Sequence, residues 1–144
     1  MKYKKQLPRD VKRIAEYHLR FYQANKKELQ HYQRDMIPSS TPAYAATGGG
    51  SHDSESRPAE RVALKLATDR YIFQLEQSIS IVEDIVGRLS QADAYLVRHV
   101  YWTRDLTVSG AANKVHMDRS TAYEHLNDIL YDLATMLGYV RNPD

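Results

Sequence analysis

Between Pro58 and Leu89 the apolar residues fall in steps of three and four: Leu64, Tyr71, Leu75, Val82, Ile85 and Leu89. Thr68 and Ser78 fill two places in that series, and Ile72, Ile79 and Val86 widen it. The period belongs to one face of an α-helix, and Pro58 suits its first position, where the missing N–H costs nothing. A helix over 58–89 extends roughly 45 Å, longer than a small globule needs. Its stripe therefore requires a cover. Either an N-terminal helix folds back across it, or two copies of the chain pair along it. Tyr71, Thr68 and Ser78 make a poor zipper seam, which favours the fold-back.

The flanking segments divide cleanly. Residues 1–36 form a basic helical arm: Pro8 is tolerated in a first turn, and Val11, Ile14, Phe21, Tyr22, Leu29 and Tyr32 recur at mostly helical spacing, so one long helix is expected to end near Met36. Residues 37–57 are a linker, with Pro38, Pro42, Ser39 to Thr41, Gly48 to Gly50 and then Ser51 to Arg57. Such a length of helix breakers is either a mobile connection or an ordered functional loop. Residues 58–89 are the central helix, and 90–144 a C-terminal unit. Within that unit Ser90 to Asp93 has capping-box spacing and opens a helix carrying Tyr95, Leu96, His99, Val100 and Trp102, whose indole N–H needs an acceptor. Thr103 to Thr107 ends it. Two more helices follow, Val108 to Val115 and Arg119 to Leu137, with Gly138 as C-cap. Nothing reads as a strand, and six Gly and five Pro are few for a β protein, so the fold class expected is all-α.

Composition removes several classes of function. At 144 residues and 16.6 kDa the chain suits one domain, or a small domain with an arm, and not a large multidomain enzyme. It has no cysteine, so thiol chemistry and Cys-ligated zinc are excluded. The histidines show no close His/acid ligand pattern, so no metal is expected. Gly48 to Gly50 lacks the Lys-Ser/Thr of a phosphate loop, and the adjacent Ser51, His52 and Asp53 are not how a catalytic triad is recognised. No enzymatic activity and no cofactor are expected. No run is long and apolar enough for a membrane span, and the basic start lacks a following apolar region, so the expected address is cytoplasmic.

Charge is unevenly spread. Residues 1–36 carry ten Lys/Arg against four acids, whereas 37–89 and 90–144 each carry five against seven. The +6 of the first quarter outweighs −2 in each later part, giving +2 for the chain. A positive field so concentrated points to an anionic partner, nucleic acid above all, or else to an ordinary solvated helix face.

Two helices of unequal length joined by a tight turn, the shorter rich in small residues, make the helix-turn-helix pattern. Gly110, Ala111 and Ala112 permit a close crossing; Val115 and Met117 flank the turn; Asp118 suits the N-cap of the second helix. That helix would bury Ala122, His125 or Leu126, Ile129, Leu130, Leu133 and Leu137. It would present Arg119, Ser120, Tyr123, Glu124 and Asn127 to base edges in a major groove. An αα-hairpin within a helical bundle is the other reading of the same spacing.

The run Val115 to Ala122, continuing through Ile129-Leu130, Leu133-Ala134 and Leu137-Gly138, resembles the C-terminal end of the RinA/ArpU-type phage transcriptional regulators. The likeness covers roughly the last forty residues and, in layout, the charged first helix, the linker and the long middle helix. Members carry a domain similar to region 4 of sigma-70 factors. The resemblance implies a three-helix DNA-binding domain whose recognition helix starts at Asp118, with Arg119, Ser120, Tyr123 and Glu124 as reading positions. A guanidinium at Arg119 can bond guanine O6 and N7 together, and Ser120 and Asn127 are more permissive partners. Lys114, His116, Arg98 and Arg104 are candidate phosphate contacts, as are Lys4, Lys5, Arg9, Lys12 and Arg13 of the arm. The implied function is activation of late phage or prophage genes for packaging and morphogenesis, on double-stranded promoter DNA with host RNA polymerase, and in a homo-oligomer if protomers share the load. Sigma-type recognition helices usually present several basic residues, whereas this one follows Arg119 with Glu124, Asp128 and Asp132. Two competitors remain: a small terminase subunit, and a helical adaptor that never touches DNA.

Overall fold

A computed structural model describes residues 6–35 and 57–141. Lys4, Lys5 and most of the expected linker, including Gly48 to Gly50 and Ser51 to Asp53, lie outside the described residues. The chain is all-α, with no strand among the described residues. Its elements are α1 (Arg9–Arg20), α2 (Tyr22–Asp35), α3 (Pro58–Gly87), α4 (Gln91–Val97), a π-helical turn (Arg98–Trp102), α5 (Val108–Lys114) and α6 (Arg119–Met136).

The single first helix expected from periodicity is two helices with a kink at Phe21, where φ is −96° and ψ is 8°. Hydrogen bonds continue across it, from Phe21 N to Tyr17 O at 3.0 Å and from Asn25 N to Phe21 O at 2.7 Å. The direction changes because the two halves have different partners. α1 lies against α6 and the π-turn, whereas α2 lies along α3. The Tyr17 and Phe21 rings meet across the kink, their centroids 4.6 Å apart.

α2 does cover α3, but only in part. Tyr71 Oη donates to Glu28 Oε1 at 2.8 Å, and that carboxylate pushes the phenol up to about 12. Lys26 pairs with Glu83 at 3.6 Å, and the Tyr32 ring meets Tyr71 edge-on at 6.0 Å. Towards the kink, His18 Nδ1 shares a 2.6 Å hydrogen bond with Ser78, whose side chain is buried. Ser78, polar and unsuited to a zipper, is thus satisfied by the helix folded over it. The buried stripe runs through Ile72, Leu75, Ile79, Val82 and Ile85. Leu64 and Tyr71, expected in that stripe, are exposed instead: Leu64 belongs to a stretch, residues 57–67, that is exposed throughout, and Tyr71 sits at the rim of its contact with Glu28 and Tyr32.

The C-terminal helices close around α6. Ser90 caps α4 by accepting from Asp93 N at 3.2 Å; the Asp93 carboxylate turns away from a reciprocal cap and holds His125 Nδ1 at 2.7 Å. Gly138, at φ 89°, ends α6: its N–H reaches Thr135 O and the Tyr139 N–H reaches Ala134 O, the double closure that needs a left-handed residue. The π-turn is marked by the bond from Thr103 N to Arg98 O. Its two adjacent aromatics take different neighbours, Tyr101 facing Glu16 of α1 and Trp102 stacking on Tyr22 at 5.1 Å. Trp102 Nε1 is buried and meets no acceptor among the described residues. One core joins Ala15 and Leu19 of α1, Val82 and Ile85 of α3, Leu96, Val97 and Tyr101, Ala111 and Ala112 of α5, and the inward side of α6. The basic arm is therefore part of the same packed body as the helical pair.

Candidate nucleic-acid interface

α5, the turn and α6 form a tight helical pair. Thr107 caps α5, its hydroxyl accepting from Gly110 N at 3.1 Å. Ala111 and Ala112 are fully buried, as a close crossing requires. Gly110, expected at that crossing, instead faces the cap: a Cβ there would stand 3.3 Å from Thr107 Oγ1. α5 ends as α6 does, with His116 N on Asn113 O and Met117 N on Ala112 O, but the left-handed position holds a histidine at φ 56°. Arg104, in the preceding loop, is left-handed too, at φ 54°. Asp118 occupies the N-cap of α6 without a capping side-chain bond.

Four of the five expected reading positions lie open. Arg119, Ser120, Tyr123 and Glu124 are exposed at the amino end of α6; Asn127 is half-buried and engaged within the chain. His125 is only partly exposed and tied to Asp93, while Leu126 takes the core position. The open residues are chemically split. At 100° per residue, Ser120 and Glu124 share a side with Asp128 and Asp132, all exposed, so that side is acidic over its length. Arg119 and Tyr123 stand one turn apart on the flank nearer α1, the guanidinium 5.6 Å from the Tyr123 ring centre.

α1 continues that flank. Tyr101 Oη donates to Glu16 Oε2 at 3.1 Å. Burial, and then the Glu16 carboxylate, raise the Tyr101 phenol well above its ordinary value, with Arg20 opposing and Tyr123 adding a smaller push. Glu16 and Arg20 of α1 and Tyr123 of α6 thus all lie near Tyr101, which links the two helices. Arg9, Arg13 and Arg20 lie on the outer side of α1, away from the buried Ala15 and Leu19, whereas Lys12 stands on the same helix face as those two, before the core begins; all four are exposed. Lys114, His116, Arg98 and Arg104 are exposed as well. The Tyr101–Glu16 link was not legible beforehand, because 85 residues separate its ends and neither shows a motif.

The acids and histidines form pairs, not a cage. His99 Nδ1 meets Asp105 at 2.8 Å and Thr103 donates to the same carboxylate; these contacts hold Asp105 below its ordinary range. Among the described residues no group of three His, Asp or Glu could hold a metal ion, and no helix is long and apolar enough to cross a membrane. Compared with models of known families, with curated proteins and with solved structures, the chain matches none.

Proposed function

We propose that the chain is a sequence-specific DNA-binding activator of phage or prophage late genes, acting with host RNA polymerase, and that it reads DNA with the amino end of α6. The observation that carries this is the exposed Arg119–Tyr123 pair adjoining, through Tyr101 and Glu16, the basic side of α1. In this reading Arg119 bonds a guanine edge, while Arg9, Arg13 and Arg20 contact phosphates on one side and Lys114 and His116 on the other. The acidic side of α6 limits insertion to its first turn, since Glu124, Asp128 and Asp132 would meet phosphates if the helix lay deeper. Most of the affinity then comes from α1.

Binding titrations test the division of labour. Arg119→Ala should cost about 1–3 kcal/mol on the upstream DNA of the late operon and much less on scrambled duplex. Arg13→Ala should weaken both equally and reduce the salt slope by about one. Equal losses for Arg119→Ala on both duplexes would remove it as a base reader. The acidic stripe favours one other reading, a helical adaptor docking a basic protein through α6. Failure to retard any duplex at low salt, together with loss of that docking on Asp128→Lys, would establish the adaptor.

A further inference from the structure

The first half of α3 is apolar on a face that the core does not use. Val62, Leu66 and Phe73 are 59, 64 and 58% exposed, and they lie within about 40° of one another on a face roughly opposite the buried stripe. A helix apolar on both faces has an unmet need for cover. α2 and the core occupy the other side only from Ile72 onward, and before it Leu64 too is 70% exposed, so nothing among the described residues covers this end of α3.

The charges beside this face say what fits. Lys65 and Asp69 flank the stripe on one edge; both are exposed, and neither forms an ion pair within the described chain. Their order, Lys before Asp, is the weaker one for pairing within a helix. In two antiparallel helices related by a twofold axis, like edges face each other with the sequence reversed. An axis beside Ala67 therefore sets Lys65 of each copy opposite Asp69 of the other, twice. The same register brings Phe73 against Val62 across the contact and places the two Leu66 side chains next to each other. One shift of register satisfies the charges and the apolar residues together.

We infer that α3 pairs antiparallel with α3 of a second copy, through Val62, Leu66 and Phe73 with reciprocal Lys65–Asp69 ion pairs. The interface is self-complementary, as a twofold contact must be. Covering these faces on both copies removes on the order of 1,000 Å² from water, the lower end for specific association, so the dimer is weak and concentration-dependent. Neither α6 nor the basic side of α1 takes part, so the inference is independent of DNA reading.

Sedimentation of the full chain over a concentration series tests it. The wild type should shift from monomer to dimer and Leu66→Glu should stay monomeric, with unchanged helical circular dichroism in both. Lys65→Asp and Asp69→Lys should each weaken association about tenfold by setting like charges opposite one another, and the double swap should restore it. The chain has no cysteine, so orientation can be read by cross-linking. Leu66→Cys should give a disulfide dimer, whereas Val62→Cys should not, its two copies standing about 15 Å apart along the axis. A wild type that stays monomeric throughout, a double swap that fails to restore association, or Val62→Cys linking as readily as Leu66→Cys would each overturn the proposal.

Discussion

His116 carries two demands that pull against each other. The turn needs a left-handed residue, which in an L-amino acid other than glycine costs about 1 kcal/mol, and the site places a cation-capable ring beside the helical pair. His116→Gly should therefore raise stability by about 0.5–1 kcal/mol, seen as a Tm higher by about 2 °C, while weakening binding to any duplex. A lower Tm would show that the ring makes a packing contribution that its exposure does not suggest. His18 makes a prediction of different sign. Partial burial lowers its pKa from 6.5, so the folded chain holds it neutral, hydrogen-bonded to Ser78 and edge-on to Tyr17. The unfolded chain takes up a proton first as pH falls below 6.5, so stability is lost from there downwards. His18→Gln keeps a hydrogen-bonding group but cannot titrate. The urea midpoint of the wild type should fall relative to that variant between about pH 7 and 5. Parallel curves would show that His18 does not titrate differently on folding.

At the scale of elements, α1 is the test of how the parts depend on one another. Leu19 is fully buried in the core that α6 shares, so Leu19→Ala should cost about 2–5 kcal/mol in a single cooperative transition. A loss confined to the arm, with α6 melting as in the wild type, would mean that the two are separate bodies. The helices from α4 onward were legible because their signals are local: Ser90 as a cap, the break from Thr103 to Thr107, Gly138 as a stop, and 3.6-residue spacing in α6. The kink at Phe21 was not, since both halves keep a helical period and only their different partners bend the chain. The limit of the buried stripe on α3 was equally hidden: Leu64 fits the pattern, yet burial begins only at Ile72, where the other helices meet α3. For the site, exposure of Arg119, Ser120, Tyr123 and Glu124 was legible from periodicity. The division between an acidic side and an Arg119–Tyr123 flank was not, because it depends on where α1 packs.

For the whole molecule, position decides what a net charge of +2 can do. Had the basic arm been a free tail, its cations would act anywhere along a duplex. With α1 packed beside α6, the proposed reading has Arg9, Arg13 and Arg20 set the orientation on a duplex as well as the affinity. Deleting residues 1–20 should consequently do more than weaken binding: it strips Ala15 and Leu19 from the core and should leave the rest marginally folded, with low thermal cooperativity. Whether the amino end of α6 reads DNA is tested most directly by mapping backbone protection on the upstream DNA of the proposed late operon, with and without host polymerase. A discrete protected tract should appear, which Arg119→Ala erases while protection of neighbouring random sequence persists. No protected tract under either condition, from a folded wild-type chain at low salt, would contradict the proposed reading.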